Sequence, residues 1–177
     1  RIFSHGDRGA LLEAIRRAAA GDVTEPPLAA PRSPAARIDP YANATERYGA
    51  LRALLASRDG ERAIAELKAS GLRGMGGAGF PAGRKWEIVR GAPGEPKVVV
   101  CNADESEPAT FKDRYLMQVY PHLVWEGVLV AAAVVGARRA IIYIRHEYEQ
   151  CRQALEAERK ALAASGLLDG LGCALEI

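Results

Sequence analysis

The chain has 177 residues, 49% hydrophobic and 26% charged, with a net charge of +2. That composition can bury a core and fits a single domain of ordinary size, while near-neutrality argues for neither a nucleic-acid nor a membrane-surface binder. Its three cysteines, Cys101, Cys151 and Cys173, are too dispersed for a local metal motif or a disulfide framework.

Residues 8–20 (RGALLEAIRRAAA) space apolar side chains at Leu11, Leu12, Ile15 and Ala18, the period of an amphipathic helix. Between Glu25 and Pro40 the chain is crowded with proline (Pro26, Pro27, Pro31, Pro34 and Pro40), which removes donors and disfavours helix. Residues 1–40 are therefore expected to form an N-terminal helix and proline-rich arm, with an α/β domain over 41–177. Two helices are predicted next, Thr45 to Ala56, capped by Thr45, and Gly60 to Ser70.

The stretch Gly71 to Trp86, GLRGMGGAGFPAGRKW, holds six of the chain's 18 glycines. Glycine lets a ligand lie directly on the backbone, and successive N–H groups in such a loop form a nest for an anion. Pro81 suits the start of a short helix, Ala82 to Arg90, whose free N–H groups would add attraction for a phosphate. Gly74 to Gly79 also fits G-x-G-x-x-G, but a helix precedes it where the dinucleotide turn requires a strand. No Gly-Lys-Ser/Thr follows, so it is not a P-loop either.

Beyond the loop, Lys97 to Cys101 reads as a buried strand with an acidic block, Asn102 to Pro108, at its carboxyl end. His122 to Ala137 is apolar nearly all round except Glu126, a core helix too short to span a bilayer. Ala140 to Ile144 is a second strand, with Arg145 to Tyr148 at its end. A charged-faced helix, Glu147 to Ser165, and a third strand, Cys173 to Ile177, follow. Strand, helix, strand, helix, strand predicts a Rossmann-like parallel sheet flanked by helices. Ligands of such sheets bind beyond the carboxyl ends of the strands, where both motifs fall.

The blocks Gly-Met-Gly-Gly-Ala-Gly-Phe-Pro with Lys85-Trp86, Asn102-Ala103-Asp104-Glu105-Ser106-Glu107-Pro108 and Tyr143-Ile144-Arg145-His146-Glu147-Tyr148 together resemble the NADH-oxidising flavoprotein of respiratory NADH:quinone oxidoreductase (complex I). Diaphorase (beta) subunits of NAD-linked formate dehydrogenases and NAD-reducing hydrogenases share the pattern. The resemblance implies hydride transfer between NAD(H) and FMN, chemistry the cofactors carry, so no catalytic triad is expected. It places Gly74, Met75, Gly76, Lys85, Asn102, Asp104, Glu105 and Tyr143 around FMN, and Gly77, Ala78, Phe80, Glu107 and Glu147 around NADH. It also implies a longer subunit with a 4Fe-4S cluster in its C-terminal part, a thioredoxin-like 2Fe-2S partner subunit, and a cytoplasmic or membrane-peripheral complex.

The chain departs from the family pattern at Met75, usually arginine, at Ile88, often aromatic, and at Ala109, usually glycine. His146 stands where complex I members commonly carry glycine and leans toward the diaphorases. A structural subunit that keeps the fold without flavin is the opposing reading, against which the retained Lys85, Asn102, Asp104, Glu105, Glu107 and Glu147 speak.

Overall fold

The computed structural model describes residues 8–22 and 38–177. The expected proline-rich arm therefore lies almost wholly outside the described residues, as does His5. Helix α1, Arg8–Ala19, agrees with the predicted N-terminal helix and belongs to a unit of its own.

The rest forms a three-stranded parallel sheet with six helices in the order α2 (Gly49–Ser57), α3 (Gly60–Ser70), α4 (Ala82–Gly91), β1 (Val98–Ala103), α5 (Lys112–Val119), α6 (Pro121–Val135), β2 (Arg139–Ile144), α7 (Glu149–Ala164), β3 (Ala174–Glu176). The strands lie in sequence order, β1-β2-β3. Trp125 of α6 is fully buried at the centre, among Leu51, Met117, Leu129, Ile142 and Leu155. Its indole N–H donates to the Leu155 carbonyl at 2.9 Å, so the large apolar ring is buried without stranding its polar atom. No single helix among the described residues is long and apolar enough to cross a membrane.

Burial alternates along β1: Val98 and Val100 are exposed on one face, Val99, Cys101 and Ala103 more covered on the other. The strand expected to be buried is thus covered on one face only, and α6 packs against the strand. Where α4 meets α3, Gly83 is buried, and a Cβ there would come within 2.8 Å of the Lys68 backbone nitrogen. This contact seats α4 on α3 immediately after the glycine loop.

Two helices begin where carboxylates from elsewhere in the chain receive them. Helix α2 starts at Gly49, four residues after the predicted Thr45 start, and Tyr48 just before it adopts a left-handed conformation (φ 63). The buried Glu126 of α6 then accepts the Ala50 and Leu51 N–H groups at 3.0 and 3.2 Å and the Tyr41 hydroxyl at 2.8 Å. Thr45 belongs to an Asn43-centred turn before the helix. Helix α5, which the sequence pattern did not predict, is received in the same way by Glu105: the carboxylate accepts the N–H groups of Asp113 and Arg114 at 2.8 and 3.2 Å. Both carboxylates do at a distance what a local N-cap side chain does.

Candidate functional site

The glycine loop is a small lasso between α3 and α4. An antiparallel bridge joins Arg73 to Pro81. The Gly74 N–H donates to the Phe80 carbonyl and the Ala82 N–H to that of Leu72, each at 2.9 Å, while the Arg73 guanidinium donates to the Gly79 carbonyl at 3.0 Å. Gly77 and Gly79 turn the chain with positive φ (35° and 55°). Gly74 and Gly76 do not, and a Cβ on Gly76 would meet nothing within 4 Å, one on Gly74 only ordinary contact with the Phe80 carbonyl at 3.6 Å. Neither turn geometry nor internal packing requires glycine at those two positions. Their bare backbone faces open space, which suits a ligand lying on the main chain.

Helix α4 leaves this loop with no side-chain cap. Of the two cations in its first turn, Arg84 is engaged by Glu87 at 3.4 Å, and Glu87 also receives Lys68. Lys85 is exposed and belongs to no ion pair among the described residues, so of these two it is the one available to an anion. Met75 is 93% exposed and Phe80 about half exposed, both on the loop's outer surface.

At the carboxyl ends of the strands, Asn102 and Tyr143 are register partners across β1 and β2, both exposed on the open face of the sheet. The Asn102 side-chain carbonyl accepts the Asp104 N–H at 3.2 Å, which fixes the amide and leaves its NH₂ as donor. A groove of about 430 Å³ runs along β1 from Val99 to Ala103 and is closed by Trp86 of α4 and by Met117 and Val124. Through Trp86 the glycine-loop helix and the end of β1 border one cavity.

The three carboxylates of the acidic block, Asp104, Glu105 and Glu107, have different surroundings. Asp104 is exposed and accepts the Ser106 hydroxyl at 2.7 Å. Glu107 is exposed and begins the next turn. Glu105 is turned inward with its side chain fully buried, committed to α5 and to the Tyr148 hydroxyl at 3.3 Å. Contact from this residue to a ligand in the open site would have to come from its backbone.

The turn Glu107–Thr110 closes with the Thr110 N–H on the Glu107 carbonyl at 3.2 Å, with Pro108 second and Ala109 third at φ 65. Proline followed by positive φ is the arrangement of a type II turn, whose third residue is ordinarily glycine. This accounts for the glycine usual in the related sequences and marks Ala109 as a strained replacement. Ala109→Gly should raise stability by about 0.5–1 kcal/mol, the relief of left-handed strain less the added chain entropy. Equilibrium urea unfolding measures it, and unchanged or lowered stability would contradict the reading.

Beyond β2, Glu147 is half exposed and lies two residues before α7 begins, so it does not open that helix. The Arg145 guanidinium grips it, at 2.9 and 3.4 Å to its two oxygens. That bond, ahead of lesser contributions from its own N–H and from His146, holds the Glu147 carboxyl at about 2, well below the usual carboxylate range. Arg145 and Tyr148 are the residues here that carried no expected role; a cation two positions before Glu147 was the available signal.

Residues 67–176 match the family described as the Nuo51 FMN-binding domain of complex I. The chain is 45% identical over 125 residues to an NADH-quinone oxidoreductase subunit of Rhizobium meliloti, covering 71% of this chain and 30% of that protein. It is 46% identical over 108 residues to the NAD-reducing hydrogenase HoxS subunit alpha of Cupriavidus necator, covering 61% and 18%. A crystal structure of an NAD⁺-reducing [NiFe]-hydrogenase in the H₂-reduced state superposes with a TM-score of 0.62 at 40% identity, over 68% of this chain and 21% of that one. The chain thus spans less than a third of the length of these relatives. The match spans the glycine loop and the ends of β1 and β2, and the chain belongs to the Nuo51 FMN-binding domain family of complex I.

Proposed function

We propose that this chain is the flavin-holding part of an NADH-oxidising subunit, in which a hydride passes from NADH to FMN and electrons leave singly for iron–sulfur centres. The observation that carries this reading is Gly76, bare toward open space, with Gly74, Lys85 and an uncapped helix start close to it in the chain. Bound FMN would supply the hydride acceptor and the conversion from two-electron to one-electron transfer. The residues supply the rest. The backbone of Gly74, Met75 and Gly76, with Lys85, carries the flavin and its negative charge. Asn102 and Tyr143, side by side at the strand ends, meet the edge of the ring system, with Asp104 and the backbone of Glu105 beside them. Gly77, Ala78, Phe80, Glu107 and Glu147 take the nicotinamide nucleotide, Phe80 by stacking and Glu147 through ribose hydroxyls. In the complete protein the partners are an iron–sulfur subunit of thioredoxin-like 2Fe-2S type and other redox subunits, in a cytoplasmic or membrane-peripheral complex, with a 4Fe-4S cluster elsewhere in the subunit.

Gly76→Ala tests the assignment. Its backbone and surroundings accept a methyl, so the stability of the flavin-free protein should stay within about 0.5 kcal/mol of wild type. In the complete subunit, FMN affinity by fluorescence titration should fall at least about tenfold, because the methyl occupies the ligand's place on the backbone. Unchanged affinity would remove the loop from the flavin site.

Similarity to the hydrogenase subunit favours a second reading, a diaphorase that works with a hydrogenase or formate dehydrogenase. His146, with its side chain 93% exposed, is compatible with it. Nickel or molybdenum in the purified complex would establish that reading; a quinone-reductase assembly would exclude it.

A further inference from the structure

Arg145 binds both strand-end loops at once. It follows β2 directly, and its guanidinium donates to the Glu105 carbonyl at 3.1 Å while gripping the Glu147 carboxylate from the other side. The guanidinium also lies 5.6 Å from the centre of the buried Tyr148 ring, and that of Arg114 lies 5.8 Å from the same ring centre. The Tyr148 hydroxyl meets the Glu105 backbone carbonyl at 3.4 Å and its carboxylate at 3.3 Å. That carboxylate in turn holds the start of α5. One planar cation therefore joins the loop after β1 to the loop after β2 and gives the Glu147 carboxylate a fixed orientation through two of its own N–H groups, a fork that an ammonium cannot reproduce.

We infer that Arg145 is a positioning and specificity-determining residue, which aims the Glu147 carboxylate at the nucleotide ribose and registers it against the acidic loop. This rests on the proposed role of Glu147 toward NADH. An exposed glutamate two residues before a helix would otherwise sample several rotamers, and each would present a different acceptor geometry. Held by Arg145, it presents one, and the discrimination between a ribose hydroxyl and a 2′-phosphate depends on that geometry as well as on charge.

The test is a double-mutant cycle on the complete subunit, reading the ratio of kcat/KM for NADH to that for NADPH, with flavin content and melting measured alongside. Arg145→Lys keeps the charge and loses the fork. It should lower the ratio about tenfold, mainly through the NADH term, with flavin retained. In a Glu147→Gln background the same substitution should leave the ratio where Glu147→Gln alone puts it, since no carboxylate remains to aim. If Arg145→Lys does not hold flavin, Arg145→Gln, which keeps a donor toward the Glu105 carbonyl, carries the same cycle and the same requirement of coupling. A ratio unchanged by substitution at 145, or changed equally in both backgrounds, would overturn the inference and leave Arg145 a structural tie. A ratio that Glu147→Gln itself leaves unchanged would instead overturn the role of Glu147, a distinguishable failure.

Discussion

Glu147→Gln is expected to lower the NADH over NADPH preference of the complete subunit by about one to two powers of ten, through lost hydrogen bonding to the ribose and relieved repulsion of the 2′-phosphate. The substitution is nearly isosteric, and α7 begins only at Glu149, so little stability should be lost with it. The pH dependence follows from the direction of the shift. Arg145 holds the Glu147 carboxyl at about 2, below its ordinary value, so the charged form is present above that value and is lost only as pH falls through it. Across the workable range the carboxylate contributes no inflection to the nucleotide ratio. A step near pH 6 that appears with NADPH and not with NADH belongs to the second ionisation of the 2′-phosphate, while one common to both nucleotides belongs to the protein, where His146 Nδ1 lies 3.2 Å from the Glu147 carboxylate. Steady-state kinetics with both nucleotides from about pH 5 to pH 9 check both statements. A ratio indifferent to Glu147→Gln, or an inflection with NADH alone that vanishes in the variant, would contradict them.

Glu105 should show the opposite behaviour, a large effect on stability rather than selectivity. Its carboxylate is wholly buried and accepts two backbone N–H groups at the start of α5. Glu105→Ala strands those donors and leaves the Tyr148 hydroxyl only the Glu105 backbone carbonyl, at a cost of about 3 kcal/mol. Glu105→Gln keeps one acceptor oxygen and should cost about 1–2 kcal/mol. Urea unfolding of the flavin-free protein measures both. Were the Glu105 carboxylate instead a direct flavin ligand, Glu105→Gln would weaken FMN binding and leave the flavin-free stability untouched.

These two glutamates separate what is legible in the sequence from what is not. By itself the sequence determined which segments are strands and most of those that are helices, and their succession along the chain, because apolar period and local turn chemistry are written within each segment. Helix α3 shows this: Asp59 stands next to it and accepts the Arg62 N–H at 2.9 Å, so its start could be placed from neighbours alone. Sequence also placed the glycine loop and the two strand-end motifs, since glycine density and strand termini are local properties. Tertiary structure alone decided where α2 and α5 begin, because their caps, Glu126 and Glu105, come from outside the helices they serve. It likewise decided which carboxylates of the acidic block face solvent. A run of like charges in sequence has no fixed side, and burial of Glu105 became possible only when α5 and Tyr148 supplied donors for it. The pairing of Arg145 with both loops has the same origin: it requires β1 and β2 to be parallel neighbours in register, and that contact exists only once the sheet has formed.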